Sequence, residues 1–241
     1  MAPAAVLCDH DSVTNFDEFL APGELIDSGD TDVRAFAEAR AASANDEISR
    51  AVKLYYAVRD EILYDPYYTG AAPRFFRASD CLRALRGFCI PKAALLAAAA
   101  RVLEIPARVG YADVRNHLVT KKLRELIGGG DLIIWHGFTE LYLEGRWVKA
   151  TPAFNRNLCE RFGVVPLEFD GRQDSLFHPY DRAGRLHMEY VRQRGSFADV
   201  PYQTLLTELG RAYPRWMALG AGDVADRFAR EAAAERELLA D

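Results

Sequence analysis

The sequence predicts a single domain of the α+β class, in which a central helix packs on an antiparallel β-sheet. Residues 89–103 are rich in alanine and almost continuously apolar, as in a helix buried on all sides. After residue 106 the apolar residues alternate with polar ones, as they do in β-strands. A tight turn at Glu144-Gly145 joins two of these strands, which is a strong hairpin signal.

The part of the chain before the central helix divides into three. The polar residues 1–45 predict a weakly structured lead-in with one short helix. Asn45 or Asp46 is a suitable N-cap for a helix that continues at helical spacing until Pro66 stops it. The stretch ASDCLRAL predicts a second short helix, which Gly87 ends.

The central helix is predicted to run from Cys89 to Leu103. Pro91 suits its first turn, where a missing N–H group breaks no bond within the helix. Alanine has the highest helix propensity and little bulk, so neighbouring elements can pack closely around this helix.

Three strands follow, with the sequences ARVGYADV, DLIIWHGFTELYLEG and RWVKATPAF. The segment RNHLVTKKLRELIGGG between the first two is predicted to be partly helical. Beyond residue 155 we expect loops, a hairpin turning at Asp181–Gly184, and two amphipathic helices after Tyr202 that separate near Gly220–Gly222. The single domain 1–241 thus consists of the lead-in, a core at 46–155 and a C-terminal part at 156–241.

Composition excludes several classes of protein. The chain has 241 residues, is 27% charged and has a formal net charge of −5, so we expect no nucleic-acid partner. No apolar run approaches the ~18–20 residues that span a bilayer, and the N-terminus lacks a basic region typical of signal peptides. Four widely spaced cysteines are interpreted as reduced thiols of a cytoplasmic protein, and the histidines have no metal-ligand spacing.

Cys89 is the first candidate for chemistry. A thiol at a helix N-terminus lies near unpaired N–H groups, which favour the thiolate and can also hold an oxyanion. A lone cysteine can equally be a small buried hydrophobe. His136, which precedes a glycine at the start of the second strand, is the candidate base.

The order of motifs resembles the transglutaminase-like superfamily of papain-like cysteine enzymes. The resemblance covers residues from about 48 to 155 and rests on VRDEILYDP, RGFC, LEIPARVGY and HGFTELYLEGRWVKATP. It implies a papain-like core in which Cys89 starts the central helix as the nucleophile and His136 is the base. The family's aspartate before the proline of the third strand is replaced here by Thr151.

Another aspartate is available to complete a triad. The second strand is antiparallel to the first, so the end of the first strand should lie level with the beginning of the second. Asp113 could therefore approach His136, and we predict a Cys89–His136–Asp113 triad in which Asp113 orients the imidazole. Asn116, His117 and Asn155 are competing orienters, and Thr151 is a further supporting residue.

Within the superfamily, the pattern is similar to the Dieckmann cyclases that release tetramate and pyridone rings. That similarity lies in the Cys89 region with GYADVRNH and WHGFTELYL. It implies that Cys89 takes a β-ketoamide aminoacyl chain from a carrier-protein thioester and that carbon–carbon bond formation releases the ring. An amide hydrolase or transglutaminase of the same fold, and a catalytically idle binding module, are the alternatives.

Substrate, partners and cofactors follow from this interpretation. We expect an acyl thioester presented by an acyl or peptidyl carrier protein, no cofactor and no metal, and a pocket formed by Phe76, Phe88, Trp135 and His178. Because carrier proteins are acidic, a basic docking patch should exist. The candidates are Lys121, Lys122 and Arg124, or Arg182 and Arg185.

Overall fold

Aspartate caps determine where the two main N-terminal helices begin. The computed structural model describes residues 16–177, 180–221 and 227–238. The side chain of Asp30 accepts hydrogen bonds from two backbone amides in the first turn of helix α2. Asp46 and Ser49 form a reciprocal capping box at the start of α3, so Asp46 rather than Asn45 is the cap.

The described elements follow one another in a mixed order. The helices are α1 (Asp17–Leu20), α2 (Thr31–Ala41), α3 (Glu47–Glu61), a 3₁₀ turn (Pro73–Phe75), α4 (Ala78–Ala84), α5 (Cys89–Val102), α6 (Lys121–Leu126), α7 (Arg156–Phe162), α8 (Tyr202–Ala212), α9 (Pro214–Met217) and α10 (Arg227–Leu238). The strands are β1 (Leu63–Tyr64), β2 (Tyr68–Thr69), β3 (Arg86–Gly87), β4 (Ala107–Asn116), β5 (Leu132–Leu143), β6 (Arg146–Ala150), β7 (Met188–Phe197) and β8 (Gly220–Ala221).

The main sheet has the order β6-β5-β4-β7, and each neighbouring pair is antiparallel. The hairpin between β5 and β6 turns at Glu144 and Gly145, which both have positive φ, at 48° and 82°. The register places Tyr111 opposite Gly137 and Ala112 opposite His136. The three predicted strands and their hairpin are therefore confirmed.

Helix α5 is the centre of the molecule, as predicted. Every side chain from Cys89 to Arg101 is buried, and the helix packs against the sheet and against α2, α3 and α4. Lys92 is fully buried and donates hydrogen bonds to the carbonyls of Arg59, at 3.0 Å, and Ile62. These carbonyls lie at the C-terminal end of α3, so a charged side chain inside the core caps a neighbouring helix.

The described part of the lead-in, residues 16–45, is more ordered than the sequence predicts. Leu25, Ile26 and Val33 belong to the hydrophobic core. The carboxylate of Asp199 accepts hydrogen bonds from the amides of residues 24–26, at 2.7 to 3.2 Å. A distant side chain thus holds the segment against the core, and local composition contains no sign of this contact.

The C-terminal part combines confirmed and unpredicted elements. The turn at Asp181–Gly184 is present, with the Gly184 amide donating to the Asp181 carbonyl at 3.1 Å. Helices α8 and α10 are the two predicted helices, and the short α9 lies between them. Strand β7 and helix α7 occupy segments that we expected to be loops. Most residues of β7 are exposed, so this edge strand lacks the alternation of a half-buried strand.

Three thiols are free and buried, namely Cys81, Cys89 and Cys159, whereas Cys8 lies outside the described residues. Across the described ranges, no helix combines the length and the apolar character needed to cross a membrane.

Candidate active site

The thiol of Cys89 lies at the first residue of α5 and is only 5% exposed. No side chain caps this helix start. The backbone amides of Gly137, Ile90 and Cys89 itself approach the sulfur and favour the thiolate. Burial outweighs them and raises the pKa of Cys89 to about 11, so the substrate-free protein holds a neutral thiol at pH 7.

Gly137 allows β5 to lie directly against the start of α5. A Cβ atom at this position would lie 3.1 Å from the Ile90 Cα and 3.3 Å from the Cys89 carbonyl oxygen. Strand β6 pairs with β5 only from Thr139 onward, which leaves this stretch of the β5 edge open. The amide of Gly137 can therefore donate to the sulfur, and the peptide unit that follows His136 lies beside the thiol.

His136 is buried next to the aromatic ring of Phe177, with 5.3 Å between the ring centroids. Neither of its ring nitrogens has a hydrogen-bond partner among the described residues. Burial lowers the pKa of His136 to about 4, so the imidazole is neutral at pH 7. A neutral imidazole can accept a proton, which a base must do.

The predicted hydrogen bond between Asp113 and His136 is not formed in this structure. Both carboxylate oxygens of Asp113 accept from the Arg194 guanidinium, at 2.6 and 2.9 Å. One of them also accepts from the Trp135 amide at 3.1 Å. Arg194 lies on β7, a strand that the sequence did not predict. Its guanidinium binds the Asp113 carboxylate, which therefore does not hydrogen-bond the imidazole.

None of the other predicted orienters hydrogen-bonds His136. The side-chain oxygen of Asn116 accepts from the Leu118 amide, and that of Asn155 accepts from the Tyr64 amide. The Nε2 atom of His117 lies 3.5 Å from a carboxylate oxygen of Glu189. The buried hydroxyl of Thr151 lies beside that of Tyr190, so it does not replace the family's aspartate as a hydrogen-bonding group for His136.

A small apolar cavity of about 40 Å³ opens onto Cys89, and none of its lining side chains carries a charge. The lining consists of Tyr64, Pro66, Phe88, Cys89, Ile90, Leu123, Ile127, Ile133, Ile134, Trp135, Leu209, Tyr213 and Trp216. Of the predicted pocket residues, Phe88 and Trp135 line this cavity. Phe76 lies behind Phe88, with its ring centroid 5.9 Å away, and His178 is outside the described residues.

The C-terminal helices cover this cavity. The indole nitrogen of Trp216 donates to the Pro66 carbonyl at 2.6 Å, and its ring meets Phe88 edge-on at 5.2 Å. The hydroxyl of Tyr213 donates to the Leu132 carbonyl at 2.8 Å and accepts from the Ile134 amide at 2.9 Å. The α8–α9 segment therefore forms one wall of the cavity, and its aromatic side chains narrow the approach to the Cys89 sulfur.

Comparison with known proteins identifies the fold. Residues 34–152 match the family model described as the transglutaminase-like superfamily. Over these residues, which are just under half of the chain, the fold is similar to the transglutaminase-like superfamily. This match and the antiparallel sheet behind α5 confirm the predicted fold class. No curated protein gives a significant match to the chain.

Two solved structures resemble the chain at low identity. A "putative cysteine protease" from Cytophaga hutchinsonii has a TM-score of 0.47 and 18% identity, over 78% of this chain and 49% of that one. A "putative protease" from Parabacteroides distasonis has a TM-score of 0.37 and 14% identity, over 56% of this chain and 25% of that one. The chain thus spans about half and a quarter of their respective lengths.

Two features of the transglutaminase-like site were missed from the sequence. The first is the role of Gly137, although a glycine inside a strand is a known sign of close backbone approach. The second is the cover formed by Tyr213 and Trp216, which lie more than 70 residues from Cys89 along the chain and follow no motif. Both features determine what can reach the sulfur.

Proposed function

We propose that the protein is a cysteine-dependent acyl-transfer enzyme, with Cys89 as the nucleophile and His136 as the base, and that it acts as a Dieckmann cyclase. Its substrate is a β-ketoamide aminoacyl chain held as a thioester on a carrier protein. Its product is a tetramic acid or pyridone ring. The match of residues 34–152 to the transglutaminase-like superfamily supports cysteine chemistry in general, and the cyclase assignment rests on the site itself.

The observation that carries the proposal is the apolar, uncharged lining of the cavity at the Cys89 sulfur. A hydrolase must bind and activate water beside its acyl enzyme, and this lining offers few polar atoms to do so. It also has no charged group to bind a charged peptide side chain. An apolar acyl chain that carries its own carbon nucleophile fits such a lining best.

The first half of the reaction transfers the chain to the enzyme. The Cys89 sulfur forms a bond to the thioester carbonyl carbon while its proton passes to His136. The tetrahedral intermediate then collapses, the bond from carbon to the carrier sulfur breaks, and the imidazolium returns the proton to the departing carrier thiolate. In this proposal, the Cys89 amide at the start of α5 donates a hydrogen bond to the developing oxyanion.

The second half closes the ring. His136 removes a proton from the methylene between the two carbonyls of the β-ketoamide, and the carbanion attacks the Cys89 thioester carbon. A carbon–carbon bond forms, the carbon–sulfur bond to Cys89 breaks, and the thiolate recovers the proton from the imidazolium. The product is a 2,4-pyrrolidinedione when five atoms enter the ring, and no water is consumed.

The test is to offer a β-ketoacyl-aminoacyl thioester of N-acetylcysteamine and weigh the product. Cyclisation gives the mass of the substrate minus the thiol, and Cys89→Ala should abolish it. A product that has gained water would instead indicate a hydrolase, and transfer to an added amine would indicate a transglutaminase. Either outcome would overturn the cyclase assignment but not the role of Cys89.

A catalytically idle binding module is the second candidate, and specific observations favour it. Thr151 stands where the family has aspartate, and no described residue hydrogen-bonds the imidazole of His136. The same assay separates the two candidates, because an idle module would give no product above that of Cys89→Ala while still binding the thioester.

A further inference from the structure

A basic cleft of about 290 Å³ lies beside α6, on a different face of this helix from the cysteine cavity. Its cationic residues are Lys121, Arg124, Arg185 and Arg236, with His117 beside them. Glu235 is the one acidic residue in the lining. The chain as a whole has a net charge of −5, so this concentration of positive charge stands out from the rest of the molecule.

The cleft joins the two basic patches that the sequence predicted separately. Lys121 and Arg124 come from α6, and Arg185 follows the turn at Asp181–Gly184. Lys122, their neighbour on α6, is not part of the lining and lies 3.8 Å from a carboxylate oxygen of Glu231. Only some residues of each predicted patch therefore line the cleft.

The charges in the cleft are unequally neutralised. Arg185 pairs with Asp181 at 2.8 Å, and Arg236 donates to the Glu160 carbonyl at 2.6 Å. The carboxylate of Glu235 accepts from the Lys121 backbone amide at 2.8 Å. Within the described ranges the side chains of Lys121 and Arg124 form no ion pair, so they are available to an anion.

The rest of the lining is apolar and comprises Leu118, Val119, Phe162 and Ala232. The cleft therefore fits an anionic group attached to an uncharged chain better than it fits a free inorganic ion. Arginine and lysine are the usual partners of phosphate, and Arg124 can offer two parallel N–H donors.

Helix α6 connects this cleft to the active site. Leu123 and Ile127 line the cysteine cavity, whereas Lys121 and Arg124 line the basic cleft. A helix with its side chains is about 10 Å across, so a flexible arm fixed in the cleft could reach around α6 towards the thiol.

We infer that the basic cleft binds the phosphate of the phosphopantetheine arm that delivers the acyl chain to Cys89. This inference rests on the proposed function, because a phosphopantetheine thioester brings a phosphate at a fixed distance from its carbonyl. The proposed partner is a phosphopantetheine-bearing carrier protein, and the cleft recognises the arm by its charge.

The test compares two thioesters of the same acyl chain, one on coenzyme A, which includes phosphopantetheine, and one on N-acetylcysteamine, which has no phosphate. Lys121→Glu with Arg124→Glu should raise KM for the phosphate-bearing thioester about tenfold or more. Turnover of the N-acetylcysteamine thioester should not change. Lys122→Glu is the control, because it reverses one charge on the same helix outside the cleft, and it should leave both substrates unaffected.

Equal KM changes in the control, or a loss of turnover with both substrates, would overturn the inference. If the unmodified protein turns over neither thioester, the proposed function has failed, and calorimetry then tests the cleft alone. Binding of phosphopantetheine that is lost in the double variant but kept in Lys122→Glu would support the cleft. Absent binding, or inorganic phosphate binding as tightly as phosphopantetheine, would overturn it.

Discussion

At the residue scale, the two central groups are both neutral before substrate binds. The sequence led us to expect a thiolate, because Cys89 starts a helix. The helix start does supply amides to the sulfur, but burial raises the pKa of Cys89 to about 11 and lowers that of His136 to about 4. In the proposed reaction, the proton therefore moves from sulfur to imidazole during acylation rather than before it.

Alkylation of Cys89 by iodoacetamide tests this ionisation. Because the thiolate is the reacting form, the rate should rise about tenfold per pH unit from pH 6 to 9, with no plateau in that range. Peptide mass spectrometry separates Cys89 from Cys81 and Cys159, whose buried thiols have pKa values raised to about 12 and should react more slowly still. A rate that is already constant at pH 7 would show a preformed thiolate.

Gly137 gives a second prediction at this scale. An added methyl group would meet the α5 backbone at 3.1 to 3.3 Å, and backbone cannot move aside as a side chain can. Gly137→Ala should lower the free energy of unfolding by about 1–3 kcal/mol and reduce acylation of Cys89.

Gly210 provides the control, because it lies in helix α8 with no neighbouring atom within 4 Å of an added Cβ. Gly210→Ala should leave stability unchanged or raise it by roughly 0.5–1 kcal/mol, as alanine does in helices. Denaturant unfolding of both variants measures the contrast. Equal effects would mean that Gly137 does not hold β5 against α5.

At the element scale, strand β7 supplies the residue that binds Asp113. Arg194 of this strand binds both oxygens of Asp113 and also pairs with Glu208 of α8, at 2.6 Å. Through Arg194, the carboxylate of Asp113 therefore links β4 to β7 and to α8. Asp113 serves as a structural link here, whereas the sequence placed it in the triad.

Asp113→Asn should accordingly destabilise the fold. Removing one partner of a buried ion pair lowers the free energy of unfolding by about 3–5 kcal/mol when the other charge is left unpaired. Arg194 still pairs with Glu208 in this variant, so we expect a smaller loss of about 2 kcal/mol. A double-mutant cycle with Arg194→Met, followed by urea unfolding, measures the coupling between the two residues. A coupling near zero, together with lost turnover in an Asp113→Asn variant of full stability, would instead support a role for Asp113 in the triad.

The same strand shows where sequence reasoning succeeds and where it stops. Helix α5 was predicted because it is buried on all sides and its sequence is almost continuously apolar. Strands β4 to β6 were predicted because apolar and polar residues alternate along them. Strand β7 is exposed at the sheet edge, so its pattern is weak. Cys89 was identified from its local position at a helix start. Arg194, the partner of Asp113, lies on β7, which the sequence pattern did not predict.

At the scale of the whole molecule, the matched residues 34–152 hold Cys89 and His136 but not the complete surroundings of the site. Later segments supply Arg194, which binds Asp113, and Trp216, which covers the cavity. They also supply Arg185 and Arg236 of the basic cleft. In the proposed enzyme, the matched core therefore provides the nucleophile, and the C-terminal part forms part of the wall around it.

The central claim is that Cys89 carries the acyl chain. An acyl-aminoacyl thioester without the β-keto group cannot form the stabilised carbanion, so its acyl enzyme should accumulate. Intact-protein mass spectrometry should then show one acyl mass gained, and peptide mapping should place it on Cys89, with none on Cys89→Ala. No mass gain, or a gain on Cys81 or Cys159 instead, would contradict the account.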